Sequence, residues 1–314
     1  MTPRHILLLG ATGTIGRAVA AELAARGHTV TAVLRDPAAA LPPAVARRIA
    51  DVTIPGALAA TLGGERFDIL ISCLASRSGS AAESADIDHR ANSLALAAAP
   101  GAGVGQFILL SAICVQKPRL PFQHAKLAFE AELIASGMPY TIVRPTAFFK
   151  SLSGQLRRVT QGKRILLFGN GDLTACKPIS DGDLARFIAG CIDDPAAANR
   201  TLPIGGPGPA QTPRQQWEDL FQRLGRPPRF RRVPVGVMDA IVTLLAIGAP
   251  FSSRMAAAAD YARIGRYYAT ESMLHWNPAT GRYDADATPE TGTERLLDHQ
   301  LAVIAALRDA APPR

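Results

Sequence analysis

The stretch Gly10-Ala11-Thr12-Gly13-Thr14-Ile15-Gly16 limits what this chain can fold into more than any other part of it. It follows the short apolar run Ile6–Leu9 and leads directly into Thr14–Arg26, which has the apolar spacing of a helix and ends at Gly27. An apolar run with no polar alternation is the pattern of a strand covered on both faces. Glycine at the first position permits the tight turn between strand and helix, and glycine at the third lets the two pack closely. Strand, glycine turn and helix in that order open a βαβ unit.

Strand and helix signals keep alternating beyond it. Strands are expected at Thr29–Leu34, more weakly around Arg48–Ile49, and at Phe67–Ser72, Gln106–Ser111, Pro139–Val143 and near Arg200–Ile204. Helices are expected at Gly56–Leu62, Ala82–Ala99, Phe122–Ser136 and Asp181–Ile192. This succession predicts an α/β fold, a doubly wound parallel sheet of Rossmann type that binds ligand at the carboxyl ends of its strands. After about residue 147 the pattern loosens, and Gly205-Gly206-Pro207-Gly208-Pro209 opens a more irregular region with helices expected at Arg214–Leu224, Val237–Ile247 and Glu294–Ala310. The expected organisation is a core over residues 1–204 and a small, mainly helical, substrate-binding lobe over 205–314, folded together as one unit.

A net charge of +8 raises the question of nucleic acid. The arginines are scattered, with nothing beyond doublets such as Arg47-Arg48, Arg157-Arg158 and Arg231-Arg232, whereas a phosphate-backbone footprint clusters them with aromatics. No nucleic-acid partner is therefore expected; a positive surface equally suits an anionic small substrate or an acidic membrane face. Cys73, Cys114, Cys176 and Cys191 contain no CxxC spacing, so neither an iron–sulfur cluster nor a metal site is expected. The N-terminus reads as a strand and not as a secretory signal, and the expected compartment is cytoplasmic, with peripheral contact to a membrane left open. The apolar stretch Val233–Phe251 contains Asp239 and two prolines, Pro234 and Pro250, so it reads as a buried or membrane-facing amphipathic helix and not as a span.

Backbone N–H groups at a helix start attract phosphate. Gly10, Thr12, Gly13, Thr14, Ile15 and Gly16 are therefore the expected cradle for the pyrophosphate of a nicotinamide dinucleotide. The second strand ends at Leu34-Arg35-Asp36. An arginine there accepts the 2′-phosphate of NADP, an acid the 2′-hydroxyl of NAD. Arg35 comes first, so NADPH is the expected cofactor; Asp36 either meets the 2′-hydroxyl of NAD or simply caps the turn before Pro37. Asp51 and Val52 should lie near the adenine, and Leu74, Ala75 and Ser76 beneath the ribose and nicotinamide.

The GxxGxxG spacing resembles that of extended and atypical short-chain dehydrogenases. Such proteins usually carry a serine and a Tyr-x-x-x-Lys, the tyrosine exchanging the proton and the lysine lowering its pKa. Ser111 stands at the serine's place and Lys126 at the lysine's, but Phe122 stands where the tyrosine belongs. Phenylalanine cannot donate a proton, so either the chain is not catalytic or its substrate is no alcohol or carbonyl. Lysine is scarce here (Lys117, Lys126, Lys150, Lys163 and Lys177), which makes Lys126 the leading catalytic candidate. Cys114 and His124 are weaker ones.

Several longer stretches carry a closer resemblance. Ser111-Ala112-Ile113-Cys114-Val115-Gln116-Lys117-Pro118, Phe122-Gln123, Ala125-Lys126-Leu127 and Phe129-Glu130-Ala131-Glu132-Leu133 resemble the NADPH-dependent divinyl (proto)chlorophyllide 8-vinyl reductases. So do Ser72–Arg77, Ile87-Asp88, Arg144–Leu152, Glu271–Leu274 and Thr288–Gly292. The resemblance implies NADPH-dependent reduction of the C8 vinyl group of a magnesium tetrapyrrole, in chlorophyll or bacteriochlorophyll synthesis. It also implies that Ser111, Lys126, Pro145, Thr146 and Phe148 lie at the cofactor, with Lys126 holding the ribose and the proton coming from water or from a side chain such as Lys126. A vinyl group conjugated to the ring takes hydride at its terminal carbon while the charge spreads into the macrocycle, so no tyrosine is needed. The C-terminal aromatics Tyr261, Tyr267, Tyr268 and Trp276 could cover a flat pigment or simply pack a core. Two rivals share the same features: an NAD(P)-sensing regulator or assembly factor, and another atypical double-bond reductase. The second known type of 8-vinyl reductase, an iron–sulfur flavoprotein, does not match the cysteine spacing.

Overall fold

The computed structural model describes residues 2–309; Met1 and 310–314, and with them the expected helix end at Ala310, lie outside the described residues. The strands that share the main sheet are β1 (His5–Leu9), β2 (Thr29–Leu34), β3 (Val45–Ile49), β4 (Ile69–Ser72), β5 (Gln106–Leu110) and β6 (Tyr140–Pro145). A further strand, β7 (Ile165–Phe168), pairs outside it before β8 (Arg200–Ile204) completes the set. The sheet has 7 strands in the order β3-β2-β1-β4-β5-β6-β8, and every pairing is parallel. The order reverses between β1 and β4, whose ends are level because Leu9 pairs with Ser72. In a doubly wound sheet that reversal opens the crevice where ligands bind.

The near-continuous apolar strands reflect burial on both faces. Ile6 and Leu8 are fully buried, while Leu7, Leu9, Leu70, Phe107 and Leu109 join one cluster with Phe129 and Leu133 of the helix Pro121–Ala135. Phe107 and Phe129 meet at 5.6 Å between ring centres. Each such buried side chain contributes about 1.5–3 kcal/mol. The helix Thr14–Ala25 packs against Asp181–Gly190.

The expected single helix Ala82–Ala99 is corrected. The chain instead makes an α turn at Ala81–Glu83, a π-helical stretch at Ser84–Arg90 and an α-helix at Ala91–Ala98. The Asn92 side-chain amide donates to the carbonyls of Ile87 (3.2 Å) and Asp88 (3.1 Å), and its oxygen accepts from Ser72 Oγ at 2.5 Å. A side chain entering the carbonyl ladder is a recognised cause of such a break.

The chain divides into two compact units. One holds the sheet, through Pro145 and again over Asp181–Ile204; the other comprises Thr146–Ser180 and Gly205–Arg314. The residues between β6 and the Asp181–Gly190 helix thus group with the second unit and not with the sheet, unlike the contiguous boundary at 204 expected from sequence. The cause is a pairing of distant segments: β7 joins β9 (Phe230–Val233) in a parallel pair. Ile165 and Leu167 then share a core with Leu156, Trp217, Leu220, Phe221 and Ile304. This unit also has an antiparallel hairpin of β10 (His275–Asn277) and β11 (Arg282–Asp284), none of it expected from sequence. Its longer helices are Pro213–Arg223, Val235–Gly248, Ser253–Thr270 and Leu296–Asp309. No helix among the described residues is long and apolar enough to cross a membrane.

Candidate active site

The glycine turn sits at the reversal point, between the ends of β1 and β4. Gly10 has φ +77°, and a Cβ there would lie 2.5 Å from the Cys73 carbonyl oxygen. A Cβ on Gly16 would lie 2.1 Å from the Gly10 carbonyl oxygen. Both positions accept only glycine. Gly13 differs: it is exposed and extended at φ −70°, and a Cβ there would meet nothing closer than 3.4 Å. It precedes the helix Thr14–Ala25 with no side-chain cap on the helix start. Ala11 and Ile15 are buried, Thr12 is half-buried and Thr14 exposed. Arg17 folds back to donate to the Thr12 carbonyl at 3.1 Å, bracing the turn. A helix start with backbone N–H groups beside an open glycine is a fitting cradle for a diphosphate.

Beyond β2, Arg35 is exposed, and Asp36 Oδ1 accepts from Ala38 N at 2.8 Å, so of its two roles the acid takes that of capping the turn. Asp51 accepts from Thr53 Oγ1 (2.7 Å) and Thr53 N (2.9 Å). Those bonds, with a smaller pull from Arg35 and Arg90, hold its carboxyl below the ordinary range. Val52 is buried in the core cluster.

The loop after β4 links the glycine turn to Lys126. Leu74 and Ser76 are half-buried and Ala75 exposed. The Ser76 backbone N–H points at both carboxylate oxygens of Asp88, each at 3.4 Å. Asp88 lies in the π-helical stretch and is 1% exposed; its Oδ1 is 2.9 Å from Lys126 Nζ. Lys126 is itself only 8% exposed, so it is no ordinary surface lysine. Burial pushes the Cys73 thiol up to about 12, against an opposing pull from Lys126. Lys126 stands one turn into Pro121–Ala135. Gln123 anchors the start of that helix by accepting from Arg119 N (2.7 Å) and Leu120 N (2.9 Å) and donating to the Cys114 carbonyl at 3.2 Å.

Ser111 is buried, and its hydroxyl donates to Glu130, which also accepts from Arg144. The serine thus joins a second buried carboxylate–cation group. Sequence reasoning singled out Lys126 and Ser111 but gave no role to Asp88, Glu130 or Arg144. The one signal for Glu130 was an acid within the apolar spacing of Pro121–Ala135; Asp88, in the polar run Ser84–Arg90, and Arg144, in a strand, carried none. Phe122 is half-buried, His124 exposed and Cys114 buried. Pro145 ends β6. Thr146 and Phe148 belong to the second unit, where Thr146 Oγ1 donates to the Lys177 carbonyl and Phe148 bridges to Ile179.

Comparison with known proteins adds to this geometry. A family model described as NAD(P)H-binding matches residues 10–195. The divinyl chlorophyllide a 8-vinyl-reductase of Oryza sativa subsp. indica is 49% identical over 309 residues, covering 93% of this chain and 76% of that protein. The photosystem II assembly factor Ycf39 of Synechocystis is a more distant match, 24% identical over 64% of this chain and 62% of its own. Among solved structures, an Escherichia coli NADPH-dependent quinone oxidoreductase in complex with NADPH superposes with a TM-score of 0.71 at 19% identity. That match covers 95% of this chain and 99% of the other, and it supports the fold alone. The length and level of the identity are decisive: the chain is an NAD(P)H-binding Rossmann protein and belongs to the divinyl chlorophyllide a 8-vinyl-reductase family.

Proposed function

We propose that this chain reduces the 8-vinyl group of a divinyl chlorophyllide or protochlorophyllide to an ethyl group, with NADPH as reductant. The observation that carries the mechanism is Lys126, buried and paired with buried Asp88 at 2.9 Å, where a carbonyl-reducing relative would have a tyrosine in place of Phe122. The glycine turn and helix start hold the diphosphate, and exposed Arg35 takes the 2′-phosphate while Asp36 is engaged in its own turn. When bound, the reduced nicotinamide supplies the hydride to the terminal vinyl carbon. Lys126 holds the adjoining ribose and gives a proton to the neighbouring carbon, recovering one from solvent. The macrocycle takes up the transient charge, so no oxyanion has to be stabilised and Phe122 is no handicap. Asp88 keeps the ammonium in place, and Leu74, Ala75 and Ser76 form the floor beneath the ribose.

Incubation with NADPH and divinyl chlorophyllide a, followed by the Soret band, tests the reading. A blue shift with NADPH consumed mole for mole is expected. Binding of NADPH with the pigment unchanged would overturn it in favour of a non-catalytic role. Lys126→Ala is expected to lose about a hundredfold or more in turnover.

A further inference from the structure

No side chain of the helix Val235–Gly248 is fully buried. Val237 and Ile241 are each 46% exposed, Leu244 and Ile247 each 66%. Their spacing puts all four on one side of the helix. Phe251, in the turn that follows, is 88% exposed. The other side of the helix packs on Ser253–Thr270. Met238 approaches Gly265, where a Cβ would lie 3.7 Å from its methyl carbon, and Asp239 meets Arg266 at 2.7 Å. The open apolar row is therefore not the seam of the hairpin. A contiguous exposed row of this kind marks an interaction surface.

The charge around the row says what kind. From Arg226 to Arg266 the chain carries Arg226, Arg229, Arg231, Arg232, Arg254, Arg263 and Arg266, against Asp239 and Asp260 alone. Both acids are taken up inside the hairpin, Asp239 by Arg266 and Asp260 by Arg263 at 2.8 Å. Arg231, Arg232 and Arg254 are exposed, the last three residues from Phe251. At 14 residues the helix is about 21 Å long. A bilayer core is about 30 Å thick, so a helix of this length can lie in the interface but not span it.

The geometry points to the Val235–Gly248 hairpin as a docking surface for a bilayer bearing anionic headgroups. The apolar row enters the headgroup boundary, and the surrounding arginines meet the lipid phosphates. A second copy of the chain fits less well, because its own arginine excess would face the same excess.

Co-sedimentation of the full chain with vesicles of phosphatidylcholine, with and without phosphatidylglycerol, tests this independently of catalysis. Binding is expected only to the anionic vesicles, and it is expected to weaken with salt. The double variant Leu244→Glu with Phe251→Glu should partition about tenfold less or worse while keeping its far-UV circular dichroism and NADPH affinity. Arg231→Glu with Arg232→Glu should weaken binding at low salt and remove most of its salt dependence. No binding to phosphatidylglycerol vesicles would overturn the proposal, as would a Leu244/Phe251 variant that binds like the parent. So would a lipid-free dimer, seen by light scattering, that the same variant dissolves; the row would then belong to a second copy.

Discussion

At the scale of the residue, the decisive pair is Lys126 and Asp88, because both charges are withdrawn from water and each depends on the other. Removing one partner of a buried pair leaves the other uncompensated, at a cost of about 3–5 kcal/mol, whereas replacing both with apolar groups is often nearly neutral. Asp88→Asn should therefore lower the urea midpoint markedly, and Asp88→Leu with Lys126→Met should recover much of that loss. Turnover should not recover in the double variant, which separates the structural role of the pair from the chemical one. Arg35→Ala should raise KM for NADPH about tenfold while leaving that for NADH almost unchanged, since only the former carries a 2′-phosphate. Steady-state kinetics with each coenzyme checks this. Burial sets the Cys73 and Cys176 thiols at about 12, against 9.0 when solvated. Between those values the folded chain keeps protons that the unfolded chain has released, so stability falls as pH rises from about 9 towards 12. Native protein at pH 8 should leave both thiols untouched by DTNB, and denaturant should expose them. Lys126 stood out in the sequence through its place in the Ser and Tyr-x-x-x-Lys pattern, four residues after Phe122, and through the scarcity of lysine. Asp88 did not, because its importance lies in meeting a lysine from another helix.

At the scale of the element, the glycine turn was almost wholly legible, since its geometry is fixed by neighbours close in sequence. Gly16→Ala would put a methyl 2.1 Å from the Gly10 carbonyl oxygen. The turn must then open, and the fold should lose about 1–3 kcal/mol with coenzyme binding abolished. Gly13→Ala meets nothing closer than 3.4 Å, so its melting temperature should stay near that of the parent. Its affinity for NADPH should nonetheless fall, if the space above Gly13 is where the diphosphate comes close; thermal unfolding with and without NADPH reads both effects. The π-helical stretch Ser84–Arg90 was not legible. Its residues have ordinary helical composition, and what interrupts the ladder is Asn92, itself held by Ser72 at the end of β4. Likewise Val235–Gly248 was recognisable as an apolar helix, but its lack of full burial depends on what the rest of the chain leaves open.

At the scale of the whole molecule, the parallel sheet was legible because each βαβ step is local, while the extent of the second unit was not. That unit takes Thr146–Ser180 from the middle of the chain and joins it to everything after Gly205. The joint is made by β7 and β9, with Ile165 paired to Phe230 and Phe168 to Val233. Neither strand has neighbours in sequence that announce the other, so a reading by composition places a single boundary near 204. A chain ended there would keep all seven strands of the main sheet but strip β7 of its partner. It would also uncover Leu156, Ile165 and Leu167, which are at most 2% exposed because Trp217, Leu220, Phe221 and Ile304 cover them. Exposing three such side chains forfeits on the order of 4–9 kcal/mol, comparable to the whole stability of an ordinary domain. The 1–204 fragment should accordingly aggregate or bind a hydrophobic dye strongly. A version in which 146–180 is replaced by a short flexible linker between Pro145 and Asp181 should stay soluble with the circular dichroism of an α/β sheet. Equal behaviour of the two fragments would mean that Thr146–Ser180 belongs with the sheet after all.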